Sequence, residues 1–169
     1  MNLPTAIDHL RKNSDAVRIL VQDMSDETAR RKPDAASWSV LEVINHLYDE
    51  EREDFRAHLD QILHRPEEAW LSIDPQGWVT ERGYNGRRLA ESLANFLQER
   101  QRSLEWLAAL PEPDWTLTHS APWGEISAGD MLASWVAHDI LHLRQLVELT
   151  WSNTLAEIRP FQVRYAGEW

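Results

Sequence analysis

The sequence contains no cysteine. That excludes disulfides, thiolate metal sites and cysteine nucleophiles together, and it fits a cytoplasmic protein. Basic residues are also scarce. The 17 lysines and arginines are outnumbered by 28 aspartates and glutamates, for a formal charge of −11. Such a surface repels phosphate backbones, and no Lys/Arg run offsets it, so nucleic acid is not an expected partner. No apolar run approaches the length of a membrane span, and the opening "MNLPTAIDHLRKNSD" lacks a signal-peptide core. Convincing strand alternation, internal repeats and low-complexity segments are absent too.

What is present is helical periodicity. A length of 169 residues fits one domain, 1–169, with room for a sizeable core. The first amphipathic segment runs from about Pro4 to Met24, with Ile7, Leu10, Val17, Leu20, Val21 and Met24 on one side. A short connection containing Pro33 follows Ser25. The second segment spans residues 37 to 63, with Ser39 and Glu42 spaced as a capping box. Residues His64 to Asn85, with two prolines and two glycines, are expected to be a long loop, and long loops are often functional. The third helix extends from about Arg87 to Leu110. "PEPDWTLTHSAPWGEIS" breaks the chain, and Ser127 caps a fourth helix reaching Thr150. The tail to Trp169 is expected to be irregular, folded back through Phe161, Tyr165 and Trp169. Nine tryptophans read as packing and interface residues, since each supplies a large buried area. These segments make an all-α four-helix bundle, a fold that places metal sites between facing helices.

On the fourth helix, His138 and His142 stand four residues apart in "HDILH". At about 100° per residue, their imidazoles share one face. Two readings stand: core histidines with ordinary hydrogen bonds, or two ligands of one metal ion. Asp139 replaces the glutamate of H-E-x-x-H, so the zincin mechanism does not carry over. His46 is the best helical candidate for a third ligand, although periodicity puts it at the rim of the second helix's apolar face. His9, His58, His64 and His119 are weaker, the last two being expected in loops and solvated. Glu50 lies one turn beyond His46, as an outer partner or fourth ligand of such a site, or as a solvated carboxylate of the acidic run "DEERED". Arg100 falls in the apolar stripe of the third helix. There it needs a carboxylate, with Glu50 or Asp54 expected, an anionic substrate, or a path for its stem to the surface.

"SWSVLEVINHLYDEE", followed 92 residues after His46 by "HDILHLRQL", resembles the DinB-like (YfiT-like) metalloenzyme superfamily. The likeness extends through "GEISAGDMLASWVAHD" and "VRYAGEW" over essentially the whole chain. It implies an up-down-down-up four-helix bundle with a long crossover between helices 2 and 3. It also implies a divalent metal held by His46, His138 and His142; all-nitrogen ligation suits zinc, nickel or iron, and Glu50 and Arg100 are candidate supporting residues by their positions. Three neutral imidazoles leave coordination positions open, as catalytic rather than structural sites do. The family contains transferases that activate a low-molecular-weight thiol such as bacillithiol or mycothiol, so such a thiol is the expected cosubstrate and a small electrophile the expected acceptor. Metal-dependent hydrolysis, or metal or ligand binding without turnover in a stress protein, are the alternatives. Homodimerisation is expected at the level of the family.

Overall fold

The computed structural model describes residues 2–167; Trp169, expected in the folded-back tail, lies outside them. Helix α1 (Leu3–Val21) begins where the Asn2 side chain accepts the Thr5 amide at 2.9 Å. It buries Ala6, Leu10, Val17 and Val21. Helix α2 (Asp26–Arg30), capped by Ser25, occupies part of the short connection that follows the first segment.

The second long helical stretch has three parts: α3 (Val40–Asp49), a π-helical turn (Glu50–Phe55) and α4 (Arg56–His64). Its start is the predicted capping box, with Glu42 Oε2 accepting from the Ser39 amide at 2.8 Å and Ser39 Oγ from the Glu42 amide at 3.1 Å.

The segment expected as a long loop is folded. Helix α5 (Pro75–Glu81) follows Asp74, whose carboxylate accepts the Gly77 amide at 2.9 Å. Pro75 and Gly77 read as breakers in the sequence, yet proline is favourable in the first helical turn, where no amide partner is needed. Trp78, Val79 and Tyr84 then pack with Trp38 and Ile73. Arg82 and the Tyr84 hydroxyl both donate to buried Asp49 of α3, so the crossover covers the outer side of that helix.

Helix α6 (Leu89–Ala109) leads to a two-stranded antiparallel hairpin, β1 (Thr118–Ala121) and β2 (Gly124–Ser127). Strands of four residues are too short to show alternation, and this hairpin was not expected. Helix α7 (Ala128–Glu157) starts at Ser127 as expected but continues past Thr150. Phe161 and Tyr165 are exposed, so they do not fold the tail back onto the core.

Two apolar clusters form the bundle interior. Val17, Val21, Ile44, Leu47, Phe96 and Leu146 belong to one. Leu10, Phe55, Leu59, Leu104, Leu132 and Trp135 belong to the other. Between them on each helix sits a polar residue: Asn13, Glu51, Arg100 and Asp139, all buried. Arg100 donates to Glu51 at 2.7 and 2.8 Å, to Asp139 at 2.7 and 2.8 Å and to the Leu10 carbonyl at 2.7 Å. All five guanidinium hydrogens are used. Its partners are therefore Glu51 and Asp139, not Glu50 or Asp54: the π turn directs Glu51, rather than its neighbour, toward α6. Burial alone would disfavour the charge, but the two carboxylates outweigh it and hold the guanidinium protonated. Trp135 Nε1 and Asn13 Nδ2 donate to the remaining carboxylate lone pairs at 3.0 and 3.3 Å.

Replacing Arg100 by leucine leaves two buried carboxylates without a cation, and should cost about 3–5 kcal/mol in urea denaturation. An unchanged midpoint would refute the buried pairing.

Candidate metal centre

His46 lies in α3, and His138 and His142 lie on successive turns of α7. The packing brings these three together. Their ring centroids are 5.4 Å (His46–His138), 4.7 Å (His46–His142) and 4.4 Å (His138–His142) apart. One nitrogen of each lies within 4.8 Å of the others. His46 is buried rather than at a rim, because Trp38 and the two histidines of α7 close over it.

Hydrogen bonding fixes where the lone pairs point. His142 Nδ1 donates to Gln145 Oε1 at 2.8 Å, leaving Nε2 unprotonated and 3.1 Å from His138 Nε2. Two imidazole nitrogens at that distance need a proton or a cation between them. His46 Nδ1 and Glu50 Oε1, both buried, have no hydrogen-bond partner, and they stand 3.8 Å apart. Facing nitrogens and orphaned polar atoms in one small space match the donor set of a divalent cation.

Electrostatics reinforce this. Burial, then His142 and His138, push His46 down to about 2, and burial, then His142, takes His138 down to about 4. His142 is also lowered, chiefly by burial. All three rings are therefore neutral at pH 7, as ligands must be. Glu50 moves the other way, to about 9, through burial and then the hydrogen bond and charge of Asp54. It is not a solvated carboxylate. Glu50 and Phe55, five residues apart across the π turn, both reach His138, at 3.9 Å from its Nε2 and 4.9 Å between ring centroids. Wide turns of this kind recur at functional sites.

The histidines open into a cavity of about 920 Å³ walled by Trp38, Gln76, Glu148 and Trp151. Trp38 meets His46 edge-on at 4.9 Å and lies parallel to His142 at 6.3 Å. Arg100 is absent from this wall; it reaches the site only through its partners, Glu51 beside Glu50 and Asp139 beside His138. Sequence reasoning missed Gln145, Glu51 and Asp139. The signal available for Asp139 was an acid on a helix that also needs a partner for a buried arginine.

A profile of the DinB superfamily matches residues 9–146. No functionally curated protein matches the chain. Among solved structures, it is similar to YfiT from Bacillus subtilis, described as a probable metal-dependent hydrolase with an unusual four-helix bundle topology. The TM-score is 0.77 at 19% identity, covering 88% of this chain and 85% of YfiT.

Of the other histidines, His9 and His64 are exposed, while His119 is buried on β1 against the Glu68 carbonyl rather than solvated. His58 is fully buried beneath Trp70, with Nδ1 2.7 Å from Asp54 Oδ1 and Nε2 donating to the Leu71 carbonyl at 3.0 Å. Burial lowers its pKa, but the Asp54 and Leu71 contacts outweigh that and raise it. A raised folded-state value contributes stability that is complete below the unfolded value of about 6.5 and lost as pH rises through the folded one. His58→Gln should therefore cost about 1.5–3 kcal/mol at pH 5, with the gap to wild type narrowing in alkali. Urea midpoints across that range check this; a gap independent of pH would show that His58 is neutral.

Proposed function

The chain belongs to the DinB superfamily, and from that membership we propose that it is a divalent-metal-dependent enzyme acting on a small molecule. The observation that carries the proposal is the meeting of three neutral histidines, one buried and two half-buried, two of them with nitrogens 3.1 Å apart, at the floor of a large cavity. His46, His138 and His142 would hold the ion, zinc, nickel or iron. When bound, it supplies Lewis acidity, lowering the pKa of a thiol or water in the cavity.

The chain's own residues do the rest. Gln145 holds His142 in the tautomer that presents Nε2. Asp139, locked by Arg100, sets the turn of α7 that carries His138. Glu50 keeps a proton within the cavity wall and can exchange it with a reacting group. Trp38 shields the ligands on one side.

The reaction we favour is transfer of a low-molecular-weight thiol to an electrophile. The cysteine-free chain brings no thiol of its own, and the cavity is large for one small substrate. Hydrolysis is the second reading, favoured by protonated Glu50 as a proton donor to a leaving group beside the histidines and by the description of YfiT. The family's up-down-down-up helix order, a cytoplasmic location and homodimerisation belong to the same proposal. Exposed Ile140, Leu141 and Val147 on α7 supply an apolar outer face that supports the dimer.

Elemental analysis should find about one divalent ion per chain at pH 7, where all three histidines are neutral. His46→Ala, His138→Ala and His142→Ala should each abolish binding, and Gln145→Leu should weaken it about 10–100-fold. Metal content unaffected by all three alanine variants would overturn the site. Thiol consumption with glutathione, bacillithiol or mycothiol and a model electrophile, lost in His138→Ala, distinguishes transferase from hydrolase.

A further inference from the structure

The cavity does not end at the histidines. Along α7 it meets a smaller hollow of about 300 Å³, sharing Pro33, Leu149 and Ser152 as common wall. The two differ in charge. Glu50 and Glu148 line the main cavity, with no lysine or arginine; Arg31, Lys32 and Arg159 line the hollow, with no carboxylate. Lys32 is paired with Glu42 at 2.7 Å, whereas Arg31 and Arg159 form no ion pair among the described residues. Two unpaired arginines at one hollow are notable in a chain of charge −11. Asn153 supplies an independent observation. It lines the hollow, is 6% exposed, and its amide nitrogen has no hydrogen-bond partner. A buried donor left unpaired costs about 1–3 kcal/mol; that nitrogen is sealed off as it stands, and turning the side-chain amide over would present it to an acceptor seated in the hollow.

We propose that this hollow is an anion subsite, holding a carboxylate or phosphate of the small molecule whose reacting end lies at the histidines. The placement of the reacting end rests on the metal-centre reading; the anion contact does not. Leu149 and Asn153 lie seven and eleven residues beyond His142, on the order of 10–16 Å along the helix axis. The ligand is therefore extended, with a neutral middle and an anionic end. Glu148 disfavours that end in the main cavity, and Arg31 and Arg159 attract it to the far one, which sets the ligand's orientation.

The test uses ω-mercaptoalkanoic acids of about four to twelve carbons, chosen to bracket that span, against their primary amides and S-methyl ethers. Binding to the metal-loaded protein is followed by tryptophan fluorescence. Acids long enough to reach should bind about tenfold tighter than their amides, as one charge-assisted contact allows. The double variant R31Q/R159Q, and separately Asn153→Ala, should reduce or erase that preference and leave amide affinity unchanged. His138→Ala should remove the preference for thiol over thioether but keep that for acid over amide. A wild type lacking only the thiol preference would count against the metal reading alone. Acids and amides binding alike, neither binding detectably, or an acid preference surviving R31Q/R159Q would overturn the subsite. Competition by inorganic phosphate or by acetate, at fixed ionic strength, identifies which anion is preferred; competition by neither overturns the proposal as well.

Discussion

Arg100 is the contact on which the rest of the bundle depends. Its guanidinium reaches the Leu10 carbonyl of α1, Glu51 in the π turn and Asp139 of α7, while its own backbone belongs to α6. One side chain thus joins all the long helical stretches at mid-height, between two apolar clusters. Hydrophobic packing is tolerant of small rotations and slides; a fork of five directed hydrogen bonds is not. The cation therefore acts as a register pin, and the desolvation it incurs is offset because every donor is matched.

That register is what assembles the candidate centre. Glu51 and Asp139 are chain neighbours of Glu50 and His138, so pinning one pair places the other. The π turn is part of the same arrangement. It lets consecutive glutamates serve different tasks: Glu51 holds the arginine, while Glu50 faces His46 and His138. Burial then makes both faces of the chemistry. It keeps the imidazoles neutral and it keeps Glu50 protonated, so a site of three bases and one acid forms without a net charge in the apolar interior.

The crossover contributes more than a connection. Tyr84 and Arg82 satisfy Asp49 on the outer side of α3, which turns that helix from a surface element into a central one. His46, on the side toward α7, is enclosed by Trp38, His138 and His142. The cavity beside the histidines is lined by Glu148 and by no lysine or arginine, whereas the adjoining hollow is lined by Arg31, Lys32 and Arg159, and this polarity is the feature that would select among ligands.

Local rules determined much of this from sequence alone. Apolar periodicity placed the long helices, Ser39 and Ser127 marked two of their starts, and the i, i+4 spacing put His138 and His142 on one face. Those features depend only on neighbours in the chain. The extension of α7, α5 and the short hairpin were not legible, because each is stabilised by packing or by turns too brief to leave a period. The burial of His46 and Glu50, the choice of Glu51 and Asp139 over Glu50 and Asp54 as partners of Arg100, and the adjacency of two cavities along α7 were decided only in three dimensions. Each depends on which helix face meets which across long sequence separations, and hydrophobic pattern specifies that a face is buried without specifying against what.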